Sequence, residues 1–523
     1  MDLILSNVRI PVEKDGMDEY LKAASQKLNI SENNIELVKM LNKSLDASDK
    51  KQFYYEISIV VHTPDSYDNR ENLPEYTETR AAGRKSKNSR ERPIIIGFGP
   101  AGMFAALELI DRGIKPLIFE RGKKIEDRSV DVQRFLKERT LDPESNIQFG
   151  EGGAGSYSDG KLFSRVNNSD YANRVLDTFI KFGAPEEIGY IRKPHVGTDV
   201  LCRIVSNIRS HILERDGAIQ YSSKMTDLLI TEGKVRGVAI NGEKEYLSSS
   251  IYLAIGNSSR DTFEMLHKKG IALEQKPLAV GVRVEHPVET INLIRYGNKY
   301  RGFPGIGAAA YSFTHTNRKT GRGVYSFCMC PGGEVINASS ENGLLVVNGM
   351  SYSSRSSAFS NSAIVVTCHT DDYTSASPLA GFEFQKDIER KTFTAAGGSW
   401  KAPAQNLVDF LSGRVSGDLN KNSYKMGAVA VNMNEILPAF VYAALVTAFT
   451  AWKEQYPLFV SDDGIVIGAE TRTSCPVRIK RSEKYESVAV KNLYPIGEGS
   501  GYTGGITSSA IDAIKAVEVS LGN

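Results

Sequence analysis

Hydrophobic and polar positions alternate with two different periods in the first part of the chain, one typical of strands and one typical of helices. The order of these segments predicts a small leading domain. Strand-like alternation and helical spacing occur in the order β-α-β-β, at Leu3–Pro11, Met17–Leu28, Ile35–Leu45 and Gln52–His62. This order predicts a ferredoxin-like α+β domain over residues 1–70. Residues 71–91 lose the periodicity and carry Pro, Ser, Asn and charges, which is typical of a linker.

Next comes an apolar strand that runs into a glycine turn, followed by an amphipathic helix and a second strand ending in an acid. The turn has the spacing Gly97-x-Gly99-x-x-Gly102, and the acid is Glu120. This order is the βαβ dinucleotide fingerprint in its required context. Gly97 permits the tight turn, Gly99 admits a pyrophosphate to the backbone, and Gly102 allows close packing of the helix. Glu120 suits the two hydroxyls of an adenosine ribose.

Two further glycine-rich stretches predict backbone that lies close to a ligand. Near the C-terminus, a strand leads through Gly497–Gly505 into a helix that begins near Ile506, whose amides favour a phosphate or the negatively charged end of a flavin. Glu498 is placed to accept hydrogen bonds from a ribityl chain. The stretch Gly152–Lys161 brings small residues and polar donors towards a pyrophosphate or an isoalloxazine edge, and its candidates are Gly153, Ala154, Gly155, Ser156, Ser158 and Lys161.

The remaining pattern predicts a dinucleotide domain built from two separated segments. Its first part, 92–272, contains a helix over Asp199–Asp216, several short strands and an apolar strand closing in a turn at Ala254-Ile255-Gly256. The pattern changes over 273–460, where a mixed-sheet domain is expected, with helices near Phe382–Ala395, Ala404–Leu411 and Glu435–Glu454. Residues 461–523 return to strand, glycine loop and helix. The predicted fold class is therefore α/β and α+β, with a Rossmann-like three-layer ββα domain.

Bulk composition narrows the class of protein. A content of 41% hydrophobic and 24% charged residues suits a soluble globular chain, and a net charge of +2 provides no global attraction to nucleic acid. Five cysteines argue against a disulfide framework, and the first residues lack a signal-peptide pattern, so we expect a cytoplasmic protein. The apolar run Ile436–Trp452 contains Pro438 and predicts a buried helix rather than a membrane span. No spacing of metal ligands is evident, so no metal site is predicted.

Together these motifs resemble an FAD-dependent oxidoreductase of the broad type of glutathione reductase and p-hydroxybenzoate hydroxylase. More narrowly, the chain from about Arg92 is similar to a group of bacterial FAD-dependent dehydrogenases without an assigned substrate, and the leading domain also fits. The similar stretches are Glu151–Leu162, Pro194–Asp199, Met329–Gly333, Glu470–Ser474 and Gly497–Gly505. One departure is Ile255, since flavoproteins of this type usually carry Ala-Thr-Gly at this turn.

The resemblance implies FAD as cofactor and assigns roles along it. Around the adenosine, Glu120 would bind the ribose, Met225 would present its backbone to the adenine, and Arg121 and Arg128 would flank phosphates or adenine. The pyrophosphate would lie on Gly97, Gly99, Pro100, Ala101 and Gly102, with the turn at Ala254 and Gly256 nearby. The ribityl chain and flavin would be held by Gly497, Glu498, Gly505, Ile506 and Thr507.

Candidates for catalysis are fewer. His195 precedes a predicted helix and is either an acid/base near the flavin or a residue that shapes the helix entry. Cys328-Met-Cys330 places two thiols on one face of a strand, where they form a redox pair, provide a thiolate or are small buried residues. Cys330, beside Pro331-Gly-Gly, is the thiol we single out.

The reaction predicted is hydride or electron transfer through the flavin to or from an unidentified small molecule. No second dinucleotide turn is evident, because Gly305-x-Gly307 does not follow an apolar strand, so electrons come from transient NAD(P)H, a substrate or a protein donor. Two other functions stay open. One is RNA modification or binding through the leading domain and the basic cluster Arg84, Lys85, Lys87, Arg90 and Arg92; the other is reduction or saturation of isoprenoid-like lipids.

Overall fold

The computed structural model describes residues 1–77, 92–162 and 169–522. Most of the predicted linker lies outside the described residues, as do Arg84, Lys85, Lys87 and Arg90 of the basic cluster.

The leading domain is a three-stranded antiparallel sheet with one helix packed on it. Its elements are β1 (Asp2–Pro11), α1 (Met17–Leu28), β2 (Glu36–Asp46) and β3 (Tyr54–His62), and the strand order is β1-β3-β2. Alternate residues of β1 and β3, including Leu3, Leu5 and Ile57, pack in one core with Ala24 and Leu28 of α1. The elements therefore form where the alternation and the helical spacing predict them.

The second region of the chain contains β4 (Ile94–Ile96), α2 (Pro100–Ile110), β5 (Leu117–Phe119), α3 (Ile125–Glu138), α4 (Asp170–Lys181), α5 (Gly197–Leu213), β6 (Ala218–Gln220), β7 (Met225–Thr231), β8 (Lys234–Ile240), β9 (Lys244–Leu247), β10 (Ile251–Leu253) and α6 (Arg260–Lys268).

The third region contains β11 (Leu273–Gln275), β12 (Leu278–Pro287), α7 (Val288–Tyr300), β13 (Thr314–Thr316), β14 (Gly323–Cys330), β15 (Glu334–Asn337), β16 (Val347–Met350), β17 (Phe359–Cys368), α8 (Ala380–Ala395), β18 (Ala402–Asn406), α9 (Leu407–Ser412), β19 (Ala428–Ala430) and α10 (Ala439–Gln455). The chain then adds β20 (Ile465–Glu470), β21 (Val477–Ile479), β22 (Leu493–Pro495) and α11 (Ile506–Ser520).

A five-stranded parallel sheet of order β22-β10-β4-β5-β6 forms the centre of the predicted dinucleotide domain. Successive side chains of a strand point to opposite faces, and β4 separates two cores in this way. Ile95 packs with α2, α5 and α11, whereas Ile94 and Ile96 pack with Val235 and Val238 of the β7-β8-β9 meander. The result is three layers, namely helices, parallel sheet and meander. The last strand, β22, pairs with β10, so residues from the far end of the chain complete the sheet.

The second large sheet has seven strands in the order β13-β14-β17-β12-β20-β18-β19. Because β20 pairs with β12, this sheet continues to Glu470, beyond the predicted boundary at residue 460. The predicted helix Ala404–Leu411 is divided between β18 and α9. Ala404 pairs with Ile467 of β20, and this long-range pairing overrides the local helical spacing.

Helix α10 accounts for the long apolar run near residue 440. The domain that contains the seven-stranded sheet is called the second domain below. Its main core buries Val441, Leu445, Phe449 and Trp452, in agreement with the prediction of a buried helix. Within residues 1–77, 92–162 and 169–522, every helix is too short or too polar to cross a membrane.

Candidate dinucleotide cleft

A long cleft lies at the carboxyl ends of the parallel strands and continues to the edge of the seven-stranded sheet. Ligands of open parallel sheets bind in this position. Seventeen of the residues predicted to bind a cofactor line the cleft, namely Gly97, Gly99, Pro100, Ala101, Glu120, Arg121, Gly153, Ala154, Gly155, Ser158, Lys161, Met225, Ala254, Gly256, Glu498, Gly505 and Ile506.

The N-terminus of α2 opens into the cleft without a side-chain cap. Gly99 is the N-cap and Pro100 is the first helical residue, so the first backbone N–H groups have no capping side chain. A Cβ on Gly153 would lie 3.0 Å from Gly99 Cα, so two glycine backbones approach each other here. The partial positive charge of the helix end therefore faces a space bounded by backbone, which suits a phosphate.

The two other glycines of the fingerprint allow close packing. Gly97 has a φ of +96°, and a Cβ there would lie 2.4 Å from the carbonyl oxygen of Ala254. A Cβ on Gly102 would lie 2.0 Å from the carbonyl oxygen of Gly97. Gly102 thus lets α2 pack on the turn and does not itself line the cleft.

The carboxylate of Glu120 is buried at the end of β5 and organises the backbone around it. It accepts hydrogen bonds from the N–H groups of Phe98 (2.8 Å), Gly122 (2.9 Å) and Gly150 (3.0 Å). A carboxylate offers about four lone-pair sites. Three are used, and the remaining capacity is available to a hydroxyl in the cleft.

A second uncapped helix N-terminus, that of α11, faces the same cleft. Gly505 is its N-cap with a φ of +97°, and a Cβ there would have no atom within 4 Å, so open space lies in front of it. The adjacent Glu498 accepts a hydrogen bond from Asn257 Nδ2 (2.9 Å), and burial raises the pKa of Glu498 to about 7. Near pH 7 this side chain is therefore partly protonated and can donate as well as accept hydrogen bonds.

Three residues predicted to touch the cofactor instead hold backbone or helices in place. Arg128, predicted to flank phosphates or adenine, does not line the cleft; it is fully buried, and its guanidinium holds the glycine-rich loop by donating to the carbonyl oxygens of Asn146, Ile147, Glu151 and Gly153.

Thr507 and Gly497 also lie outside the lining of the cleft. The hydroxyl of Thr507 donates to the carbonyl oxygen of Leu162 (2.6 Å), which ties α11 to the glycine-rich loop. The N–H of Gly497 donates to Asp512 Oδ2 (2.8 Å), and a Cβ there would lie 2.5 Å from Ala101 Cβ. Both residues therefore position the second helix terminus rather than face a ligand.

Arg121 lines the cleft, as Met225 does, and two acidic neighbours and one aromatic ring fix it. Its guanidinium lies 3.9 Å from the ring centre of Phe149 and pairs with Glu144 (2.7 Å) and Asp261 (3.0 Å). Lys224 also lines the cleft and pairs with Asp261. Lys224, Glu144 and Asp261 were not predicted, since charged residues with no shared motif give no local signal.

Charged groups also cluster where the cleft meets the seven-stranded sheet. Lys161 Nζ lies 2.9 Å from Asp159 Oδ2 and donates to the carbonyl oxygen of Met329. Asp159 also pairs with Arg355 (2.6 Å). These cations hold the pKa of Asp159 below its ordinary value although burial opposes them. Lys161 was predicted to contact a cofactor, whereas Asp159, two positions before it in the same glycine-rich loop, was not.

The two catalytic candidates do not line the cleft. His195 pairs through its backbone with Lys161, and within the described residues its Nε2 atom is buried without a hydrogen-bond partner. Burial and Arg355 lower the pKa of His195 to about 4, so the ring is neutral at pH 7. Cys330 is fully buried, whereas Cys328 lines the cleft. The thiol at the site is thus Cys328, not the predicted Cys330.

A buried charge network joins the dinucleotide domain to the second domain beside the cleft. Glu389 of α8 pairs with Arg260 of α6 (2.8 Å) and with Arg472 (3.0 Å), which lines the cleft. Thr471 also donates to Glu389 (2.6 Å). Within the described residues, no group of three or more His, Cys, Asp or Glu side chains is arranged to hold a metal ion.

Comparison with known proteins identifies relatives of the chain. Residues 277–473 match the family model described as "FAD-dependent protein, C-terminal domain-like". An uncharacterized protein of Clostridium beijerinckii is 41% identical over 527 residues, which cover 99% of this chain and 98% of the relative.

Solved structures give much weaker matches. The glycerol-3-phosphate dehydrogenase of Bacillus halodurans complexed with FAD is 11% identical with a TM-score of 0.36, covering 83% of this chain and 65% of that one. CtdE in complex with FAD is 12% identical with a TM-score of 0.30, covering 82% and 83%. These scores are too low to carry an argument.

Proposed function

The chain belongs to the same family as the uncharacterized protein of Clostridium beijerinckii, and because residues 277–473 match the model of an FAD-dependent protein's C-terminal domain, we propose that it is an oxidoreductase that binds FAD in the cleft. One observation carries the proposal: two uncapped helix N-termini, at Gly99 and Gly505, face one continuous cleft. Each favours negative charge or a hydrogen-bond acceptor. A single elongated ligand with a pyrophosphate and a polar ring system satisfies both.

We assign the parts of the cofactor by the chemistry of the lining. The adenosine lies near Glu120 and Met225, with a ribose hydroxyl on the free acceptor capacity of Glu120. The pyrophosphate lies against Gly99 and Gly153, where the backbone is accessible. The ring lies between Gly505 and the edge of the seven-stranded sheet. This arrangement corresponds to the broad glutathione reductase and p-hydroxybenzoate hydroxylase type.

Bound FAD supplies hydride or electron transfer, and the protein supplies orientation and charge. In the proposal, Lys161 contributes positive charge at the ring end, where Asp159 orients its ammonium group. Glu498, with its raised pKa, exchanges a proton near neutral pH without placing a full negative charge in the cleft. The substrate is a small molecule that enters from the side of the second domain, near Cys328 and Asn348.

The electron donor in this proposal is NAD(P)H that binds transiently, the substrate itself or a protein. The Gly305-x-Gly307 sequence lies in the loop between α7 and β13, so it does not open a helix as a second dinucleotide site would. Anaerobic mixing with NADH, NADPH and a panel of metabolites, followed by bleaching of flavin absorbance, separates the donors. A donor that bleaches the flavin identifies the reductive half of the reaction.

The test of FAD binding is the absorbance of the purified protein and of Glu120→Gln. We expect a flavin spectrum that is released on denaturation, and a loss of most of the flavin in Glu120→Gln. An amide in place of the carboxylate leaves one of three backbone N–H groups facing another donor, at a cost of about 1–3 kcal/mol.

The matched control is Glu243→Gln, an exposed glutamate in the turn between β8 and β9, which should retain the flavin. Circular dichroism establishes that both variants are folded. A folded native protein that binds no FAD when supplied with it would overturn the proposal.

A further inference from the structure

We propose that Cys328 and Cys330 form a dithiol site that reduces small organic disulfides entering the cleft, with Cys328 attacking and Cys330 resolving. The proposal rests on the proposed FAD function only for the electrons that restore the two thiols. The thiol exchange itself belongs to the protein chain.

The backbone at Cys328 departs from a regular strand. In a regular strand the Cα atoms of residues i and i+2 are about 6.6 Å apart, near the upper limit of the roughly 4.4–6.8 Å over which a disulfide can form. The pairing of β14 with β17 shifts register between Phe327 and Cys330, and Cys328 has a φ of +46°. This bulge bends the strand, and Cys330 Sγ lies 3.4 Å from the carbonyl oxygen of Cys328.

A left-handed conformation at a residue with a side chain costs free energy, and such residues concentrate at functional sites. Elsewhere in the chain most left-handed non-glycine residues are Asn, Asp or Arg, whereas here the position holds a cysteine that lines the cleft. The strain is therefore located at the thiol that a ligand can reach.

The two thiols differ in access, and this difference separates their roles. Cys328 is partly exposed to the cleft, while Cys330 is fully buried behind it. A disulfide in the cleft can therefore reach Cys328 first. Cys330 can react only with a sulfur already bonded to Cys328.

The charges that face the pair favour a thiolate at Cys328. The neighbouring side chain of Cys330 holds the pKa of Cys328 well below its ordinary range, against the effect of burial, and Lys161 and Arg283 add to the lowering. Lys161 donates to the carbonyl oxygen of Met329, between the two cysteines, and Arg283 Nη1 donates to that of Cys328 (2.9 Å). The acidic partners of these cations, Asp159 and Glu470, oppose the thiolate but are already paired.

The contact with Cys328 and burial raise the pKa of Cys330, which stays a thiol and donates to the carbonyl oxygen of Cys328. A thiolate in a partly exposed, electropositive setting is a reactive nucleophile. A second thiol can release the first cysteine only when the product formed at the first cysteine contains a sulfur–sulfur bond. This pairing favours a disulfide over a carbon electrophile as the substrate.

The thiol–disulfide exchange consists of two successive displacements at sulfur. The Cys328 thiolate attacks one sulfur of R–S–S–R, forming Cys328–S–S–R and releasing RS⁻, which takes a proton. Cys330 then loses its proton and attacks Cys328 Sγ, forming the Cys328–Cys330 disulfide and releasing the second RS⁻. In total two thiols of the protein are oxidised and one disulfide is reduced to two thiols. Two electrons and two protons restore the dithiol.

The experiment treats the reduced holoprotein with 2-hydroxyethyl disulfide at pH 7 without oxygen, then alkylates remaining thiols and maps them by mass spectrometry. We expect an internal Cys328–Cys330 disulfide in the native protein. Cys330→Ser should accumulate the mixed disulfide at Cys328, and Cys328→Ser should form neither product. Cys368→Ser, which removes a buried thiol of β17, is the matched control and should behave like the native protein.

Lys161→Gln tests the electrostatic part of the proposal. We expect the reaction at Cys328 to slow by roughly tenfold or more at pH 7 and to recover at higher pH, because each unit of pKa changes the thiolate fraction about tenfold. The same samples are scanned for flavin absorbance. If Cys330→Ser binds flavin but forms no mixed disulfide at Cys328, the dithiol site is overturned and the proposed function is not. If thiol–disulfide exchange occurs in a protein that binds no FAD, the proposed function is overturned and the dithiol site is not.

Discussion

His195 shows how the environment of one side chain can be tested apart from catalysis. In the folded protein its pKa is about 4, against about 6.5 in an unfolded chain, because burial and Arg355 disfavour the charged ring. The unfolded state therefore binds more protons between these values. The contribution of His195 to stability is complete above about pH 6.5 and is lost as pH falls towards 4.

The prediction concerns the pH dependence of unfolding in His195→Asn. We expect urea denaturation of the native protein to give a lower free energy of unfolding at pH 5 than at pH 7.5, and the variant to show a smaller difference. His286, which has a similarly lowered pKa, is unchanged in both proteins and contributes equally. His267→Asn, an exposed position on α6, should keep the native pH dependence. An unchanged dependence in His195→Asn would contradict the burial argument.

Single residues also mark the limit of what the sequence predicts. The roles of Gly97, Gly99 and Gly102 follow from their spacing, since turn, access and helix packing are local properties. Arg128 and Cys328 do not follow from spacing. The first meets carbonyl groups some twenty residues away, and the second faces the cleft only because a bulge shifts its strand. A motif gives residue types at a turn, not the partners that folding brings to them.

Helix α3 contributes to the cleft through one residue that never touches it. The guanidinium of Arg128 donates to four carbonyl oxygens of the loop that carries Gly153, so the helix and the loop hold each other in place. Removing these donors leaves buried carbonyl groups without partners. Each such group costs about 1–3 kcal/mol.

We therefore expect Arg128→Met to lower the free energy of unfolding by about 3 kcal/mol or more and to reduce the flavin bound after purification. Chemical denaturation and flavin absorbance measure the two effects. Arg203→Met is the control, since Arg203 donates to one exposed carbonyl group, that of Gly183 (3.1 Å). If Arg128→Met kept both its stability and its flavin, the loop would not depend on this residue.

Helices and strands were predictable from the sequence where their stabilising contacts are local. The order β4-α2-β5 and helix α10 follow from the hydrophobic pattern, because each buries a continuous apolar face. Residues 404–406 do not, since Ala404 and Gln405 fit a helix locally but pair with β20, which lies far along the chain. The length of the second large sheet was missed for the same reason.

The whole molecule is assembled by contacts that cross domain boundaries. The leading domain meets the second domain where the ring of Phe53 stacks on Tyr300 at 4.1 Å and Tyr300 donates to Glu13 (2.6 Å). The dinucleotide domain meets the second domain at Glu389, which lies between Arg260 and Arg472. Arg472 also lines the cleft, so the geometry of the cleft depends on how these two domains are held.

Glu389 is the carboxylate on which this junction depends. Burial alone would raise the pKa of Glu389, but Arg260 and Arg472 hold it far below its ordinary value, so the group is charged at neutral pH. Glu389→Gln removes the buried counter-charge that the two guanidinium groups share and leaves them only the partly exposed carboxylate of Glu341. Breaking a buried ion pair by removing one partner costs about 3–5 kcal/mol.

We expect Glu389→Gln to lower the free energy of unfolding by about that amount, to weaken flavin retention and to expose the junction of α6 and α8 to limited proteolysis. Asp387→Asn, on the same helix, removes an exposed pair with Arg390 and should change stability by less than about 1 kcal/mol. Because Glu389 does not line the cleft, flavin lost in the variant reports on the joint between the domains. A stable variant that released its flavin would show that the junction shapes the cleft without holding the fold. A variant with full stability and full flavin would mean that other contacts hold the two domains together.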